Sequence, residues 1–144
     1  MQRKFKDYQI SDEKSLLQID KVHCLLKDAY WCKGIPKKMV HAAIESSLCF
    51  GVYKGDDQVA YARVVTDTVT FAWLCDVVVD EKHRGHGISK ELVTFIMLHP
   101  KLQGLRRICL ATKDAHGLYE RFGFKMTETP QNWMEIKNNN IYLK

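Results

Sequence analysis

The residues best suited to chemistry are Arg84-Gly85-His86-Gly87-Ile88-Ser89-Lys90, a basic, glycine-rich turn between two apolar stretches. Before it, Trp73-Leu74-Cys75-Asp76-Val77-Val78-Val79 is almost continuously apolar and rich in β-branched residues, the pattern of a strand covered on both faces. After it, Ile88, Leu92, Phe95 and Ile96 recur at one-face helical spacing until Pro100. The first amides of such a helix have no intrahelical acceptor, and its dipole adds partial positive charge there. Glycines without side chains let an anion approach the backbone closely, so the arrangement suits a phosphate.

The spacing separates three kinds of phosphate turn. A dinucleotide fingerprint needs a third glycine, where Lys90 stands. A nucleoside-triphosphate loop needs four residues between its glycines and then Gly-Lys-Ser/Thr, which is absent. The remaining pattern, Arg/Gln-x-x-Gly-x-Gly/Ala, is met by Arg84, Gly87 and, with a small-residue change, Ser89. Further on, Arg107-Ile-Cys-Leu-Ala-Thr112 reads as a strand leading to Asp114-Ala115-His116-Gly117-Leu118-Tyr119-Glu120-Arg121 and then Phe122-Gly123-Phe124. With these two motifs in this order, the sequence resembles the GNAT superfamily of N-acetyltransferases.

That resemblance implies a pyrophosphate of acetyl-coenzyme A on Arg84, Gly85, His86, Gly87, Ile88, Ser89 and Lys90. It also implies a pantetheine arm beside the backbone of Val77 and Val79, with Thr112, Ala115 and Tyr119 completing the coenzyme contacts. Tyr119 aligns with the family's Leu-Tyr tyrosine and is the expected acid for the leaving thiolate, since a phenol can donate to sulfur; otherwise it is a core tyrosine. The acceptor, a primary amine with a pKa of about 10.4, must first lose a proton. Asp76, an ionisable residue inside an apolar strand, either draws a cationic amine and helps deprotonate it or forms a structural ion pair. Polyamine-type members of the superfamily carry an acidic residue at a similar strand position. His86 and His116 are further candidate bases, whereas Cys75 and Cys109 lack a nearby histidine partner and are the weakest candidate nucleophiles.

The elements that must position these groups follow along the chain. Lys6 to Ser11 reads as a first strand, with Ser11 and Asp12 capping a helix whose face is Ile19, Val22, Leu25 and Leu26, through about Ala29. An aromatic loop, Tyr30-Trp31-Cys32-Lys33-Gly34-Ile35, leads to Pro36 and a second helix carrying Met39, Val40, Ala43 and Ile44. By family resemblance that loop lines the acceptor pocket, making Tyr30 and Trp31 substrate-binding candidates; the alternative is that both cover the core. Leu48 to Tyr53 and Gln58 to Val65 read as a hairpin about Gly55-Asp56-Asp57, and Thr70 to Val79 as the next strand. Strand alternation groups Cys75, Val77 and Val79 on one face and Leu74, Asp76 and Val78 on the other. Lys125 to Glu128 and Trp133 to Ile136 read as two short strands about Pro130, before a final Ile141-Tyr142-Leu143.

The expected fold is α/β, a mixed sheet of about six to seven strands flanked by helices, with a parallel pair after the helical crossover and a slot where its ends diverge. The 144 residues suit one N-acetyltransferase domain, 1–144, and 46% hydrophobic with 27% charged residues is a globular composition. No apolar run approaches a membrane span and no signal region follows the basic start, so a cytoplasmic enzyme without membrane association is expected. The net charge of +5 is spread without an aromatic-interleaved cluster, which argues against nucleic acid. Five scattered cysteines with no paired-ligand spacing argue against a metal. The resemblance implies acetyl-CoA as co-substrate and a small-molecule amine as acceptor, with a protein amine or a non-catalytic acyl-CoA sensor as alternatives. Terminal strands in similar proteins meet a second subunit, so a homodimer is also among the expectations.

Overall fold

In the computed structural model, which describes residues 1–143, six strands form one sheet in the order β1 to β6. These are β1 (Gln2–Phe5), β2 (Tyr8–Ser11), β3 (Leu48–Lys54), β4 (Asp57–Thr66), β5 (Phe71–Val79) and β6 (Arg107–Cys109). Neighbours through β5 are antiparallel, and β5 and β6 are parallel, so the sheet is mixed as expected. Helices α1 (Ile19–Leu26) and α2 (Lys37–Glu45) precede β3, while α3 (Ile88–Met97) and the short α4 (His116–Glu120) flank β6.

Each sheet face has its own core. Leu92, Phe95 and Ile96 of α3 pack with Ile10, Phe50, Val52 and Leu74, whereas Val22 and Leu26 of α1 and Val40 and Ile44 of α2 pack with Cys49 and Tyr61. Alternation along β3 and β4 therefore serves two apolar layers, which is why these strands read as near-continuous hydrophobic runs.

Several local expectations are corrected. The first strand is a hairpin, with Lys6 at φ 52° in the turn joining Phe5 to Tyr8; β1 is a polar edge strand that carries little apolar signal. Ser11 and Asp12 do not cap α1, which begins only at Ile19 and ends at Leu26. Instead Ser11 Oγ accepts from Glu13 N–H, and Asp12 binds the Met1 ammonium and His99. The Gln58 side chain holds the Gln18 N–H ahead of α1 at 2.8 Å. Strand β6 stops at Cys109 rather than Thr112, because its pairing with β5 ends at Trp73↔Cys109.

Two corrections bear on the site. Asp76 has φ 57°, and the β4–β5 register shifts between Tyr61↔Val78 and Arg63↔Cys75, so one residue of β4 faces two of β5. This bulge resets the alternation. Val77 and Val79 join Ala72 and Leu74 on the α3 side, rather than sharing a face with Cys75. Second, 125–128 and 133–136 form no strands; only a short 3₁₀ turn, Pro130–Asn132, interrupts an extended and exposed segment. Among the described residues neither stretch pairs with a strand, and β propensity is realised through packing on cross-strand neighbours.

Candidate functional site

The glycine turn is built by its own backbone. Asp80 Oδ1 accepts from Lys82 N–H at 3.0 Å and starts a 3₁₀ turn, Glu81–His83, that lifts the chain off β5. Arg84 Nε donates to the Val79 carbonyl at 3.3 Å, folding the arginine back along the strand end. Gly85 and Gly87 both have φ 81°, a left-handed geometry that disfavours side chains, and Gly87 is the N-cap of α3. The first intrahelical bond runs from Glu91 N–H to the Gly87 carbonyl, leaving the Ile88, Ser89 and Lys90 amides without helical acceptors. Lys6 Nζ donates to the His86 carbonyl at 2.9 Å and adds a distant cation to the turn. Most of this surface is exposed, while the Ile88 side chain is buried as the first anchor of α3 in the core.

Beyond Trp73↔Cys109 the parallel strands separate, and a cavity of about 420 Å³ opens between Cys75–Val77 on one side and Leu110–Thr112 on the other. Tyr30, Trp31, Ala115 and Tyr119 also border it. The structure thus brings together Asp76, Val77, Tyr30, Trp31, Thr112, Ala115 and Tyr119 from three sequence regions. Val79 does not line this cavity; its side chain belongs to the core and its carbonyl is taken by Arg84. The glycine turn lies outside the cavity wall, at the end of the same strand. Thr112 Oγ1 accepts from Ala115 N–H at 3.0 Å and shapes the entry to α4.

Both Asp76 oxygens have a partner, and each keeps a further acceptor site. Its Oδ2 accepts from Arg63 Nε at 2.8 Å and its Oδ1 from Trp31 Nε1 at 2.9 Å. Arg63 is held in turn by donation from Nη1 to Ser47 Oγ at 3.1 Å. The ion-pair reading of Asp76 is therefore realised, and it fixes the aromatic loop onto the bulge. Tyr30 meets Trp31 edge-on with ring centroids 5.0 Å apart, its hydroxyl accepts from Lys113 N–H, and Lys113 Nζ lies 5.3 Å from its ring centre.

Tyr119 is buried, with its ring edge-on to Phe124 at 6.0 Å, and no hydrogen bond among the described residues involves its hydroxyl. Burial pushes this phenol up, with the nearby Asp114 carboxylate acting in the same direction, so it is a neutral donor at neutral pH. The Cys75 and Cys32 thiols on the cavity wall are pushed up to about 12, chiefly by burial, which makes them poor nucleophiles. His86 is outside the cavity, and His116 faces a neighbouring groove together with Tyr119. Sequence reasoning missed Arg63 and Tyr142, which also border the cavity. Arg63 carried a signal, a lone charge within the apolar run of β4 as Asp76 is within that of β5. Tyr142 carried none. Among the described residues, no three of His, Cys, Asp or Glu come together as a metal-binding group.

Known proteins resemble this arrangement. Residues 45–126 match the family model described as an acetyltransferase (GNAT) domain. A Gibberella zeae protein named as an acetyltransferase is 31% identical over 136 residues, covering 78% of this chain and 76% of that protein. A Xanthomonas campestris structure, described as an acetyltransferase of the GNAT family, superposes with TM-score 0.92 at 48% identity, covering 95% of this chain and 97% of that one. An Elizabethkingia anophelis GNAT acetyltransferase with acetyl-CoA bound shares the fold at TM-score 0.66 and 18% identity, covering 95% and 92% of the two chains.

Proposed function

From the premise that the chain belongs to the GNAT acetyltransferase family and is an acyl-CoA-dependent N-acetyltransferase, we propose that it moves the acetyl group of acetyl-CoA directly to a primary amine of a small cationic molecule. The observation that carries this reading is the slot where β5–β6 pairing ends, open between the strand that leads to the glycine turn and the Tyr119 hydroxyl. In this reading the pyrophosphate lies on Arg84, Gly85, His86, Gly87, Ile88, Ser89 and Lys90, where free amides and cations complement its charge. The pantetheine arm runs past Val77 and the backbone at Val79, with Thr112, Ala115 and Tyr119 opposite.

The acceptor enters beside Tyr30 and Trp31. Because Arg63 neutralises Asp76, the ring faces supply much of the attraction for a cation, worth about 0.5–2 kcal/mol per contact. Asp76 fixes Trp31 and presents the negative end of the pair to the ammonium, whose proton leaves by Asp76 or by water in the open cavity. The free amine attacks the thioester carbonyl, the carbon–sulfur bond breaks, and the Tyr119 hydroxyl gives the thiolate its proton. No metal takes part. Residues 1–144 act as one domain in the cytoplasm, a setting suited to the five free cysteines, and no helix among the described residues is long and apolar enough to cross a membrane. The reading includes a homodimer, because Met126, Met134, Ile136, Ile141 and Leu143 after α4 are exposed.

Mass spectrometry of mixtures of the protein, acetyl-CoA and competing amines tests the acceptor class. Acetylation of polyamines or other small amines in preference to lysine peptides supports it, and acetylation of peptides alone overturns it in favour of a protein acceptor.

A further inference from the structure

The aromatic loop between α1 and α2 straddles the slot. Trp31 is tied to β5, where its indole donates to Asp76 Oδ1 at 2.9 Å. Tyr30 is tied to the opposite side, where its hydroxyl accepts from the Lys113 N–H at 3.1 Å, next to Thr112 on the cavity wall. The same lysine reaches back, and its Nζ lies 5.3 Å from the centre of the Tyr30 ring, within the range of a cation–π contact. A ring that the acceptor reading offers to a cation therefore already carries one. Lys113 is exposed and forms no ion pair among the described residues, so the ring contact alone places its ammonium. Tyr30 is itself 53% exposed and can be approached from solvent.

We propose that Lys113 is an internal rival of the acceptor: its ammonium occupies the Tyr30 ring until a cationic amine displaces it, which makes Lys113 a specificity-determining residue of the acceptor site. Displacement breaks no ion pair, because the freed side chain moves into water. The ring stays in place meanwhile, because the bond to the Tyr30 hydroxyl comes from the Lys113 backbone. An exposed cation–π contact favours the occupied state over the open one by roughly two- to fivefold. Acceptor affinity falls by the open fraction, so the rivalry weakens a cationic acceptor about three- to sixfold. The attacking nitrogen is neutral when it reacts, so a charge that keeps Lys113 displaced through the transfer must sit elsewhere in the acceptor. That requirement favours an amine with a second amino group over a monoamine.

This inference rests on the small-amine reading of the slot, and its test uses no acetyl-CoA. Choline, a cation without an N–H to acetylate, and its neutral counterpart 3,3-dimethylbutanol are titrated into the full chain while the Tyr30 ring signals are followed by NMR. Choline should bind about three- to sixfold tighter to Lys113→Gln than to the parent, with dimethylbutanol unchanged. Lys113→Arg should stay near the parent, because a guanidinium also stacks on a ring. Choline binding that is unchanged in Lys113→Gln overturns the rivalry, as does choline leaving the Tyr30 signals unmoved in both chains. Weaker binding in that variant also overturns it, since a lysine that merely supports the ring would act in that direction. Equal tightening of choline and dimethylbutanol overturns it too, because the gain would then be space rather than charge. In turnover, Lys113→Gln should lower the KM of a diamine by the same factor while kcat holds. Choline titrations that behave as expected in a chain that acetylates no small amine would overturn the acceptor reading and leave the competition at the ring standing.

Discussion

Arg63 Nε lies 2.8 Å from Asp76 Oδ2 across β4 and β5, at the bulge where Asp76 adopts φ 57°. The pair ties the irregularity in the central strand to the acceptor side of the cavity, because the other Asp76 oxygen holds the Trp31 indole. Removing one partner strands the other in a poorly solvated place, a loss of up to about 3–5 kcal/mol for fully buried pairs and less for this partly solvated one. Arg63→Met is expected to lower stability by about 1–3 kcal/mol, measured by urea unfolding. Asp76→Asn, which tolerates the left-handed geometry and can still accept from Trp31, should cost less and raise the KM for the acceptor while leaving that for acetyl-CoA unchanged.

The aromatic loop makes a separable contribution. Trp31→Phe keeps a ring and removes the indole N–H, so folding should survive with at most about 1 kcal/mol lost. Trp31→Ala removes the ring face as well and should weaken acceptor binding roughly tenfold, about 1.4 kcal/mol. Acceptor titrations of the two variants distinguish hydrogen bond from ring; equal effects would assign the loop's role to the hydrogen bond alone.

Gly87 is required for its geometry. A Cβ there would meet only Phe5, at an ordinary 3.6 Å, so the penalty of Gly87→Ala comes from φ 81°. That strain is about 1–2 kcal/mol and should appear in thermal melts together with weaker acetyl-CoA binding by calorimetry. Unchanged coenzyme affinity would detach this turn from the pyrophosphate.

Stability should fall at both ends of the pH range. Burial raises the Tyr53 phenol and the Cys32 and Cys75 thiols to about 12, above ordinary values of 10.0 and 9.0. Their contribution is complete below about pH 9 and is lost as pH climbs toward 12, because the unfolded chain ionises first. Asp80 is held low by hydrogen bonds from Lys21 and the Lys82 amide, and Asp12 by the Met1 ammonium and His99 against a burial that would raise it. Their contribution is present above the ordinary 3.8 and is lost as pH falls through the lowered values. Denaturation midpoints from pH 2 to 12 should therefore describe a plateau bounded on both sides; a midpoint still rising above pH 10 would contradict the alkaline half.

The sequence made the centre of the fold legible because its signals are local. The apolar β5 run, the punctuation by Gly85 and Gly87 and the spacing of Ile88, Leu92, Phe95 and Ile96 each act within one turn or strand. Tyr30, Trp31 and Asp76 were picked out one at a time, but their meeting depends on the α1–α2 loop folding back over β5. The Arg63–Asp76 pair was hidden because strand register, and with it the bulge, is set by pairing between segments. The terminal segment misled for the converse reason. Residues 133–136 have strand character, yet among the described residues they pair with no strand, although Trp133 lies under Arg107 at the edge of β6.

Acetyl transfer within the β5–β6 slot, with Tyr119 protonating the departing thiolate, is tested most directly by thiol release from acetyl-CoA across a panel of small amines, with Tyr119→Phe beside the parent. Amine-dependent release is expected from the parent, with a fall in kcat of about 10²–10⁴-fold in the variant, the range for loss of a general acid, and little change in acetyl-CoA affinity. Release unchanged in Tyr119→Phe would contradict the acid role. Intact coenzyme binding by the parent without release for any amine, small or peptide, would contradict the account of the slot as a site of transfer.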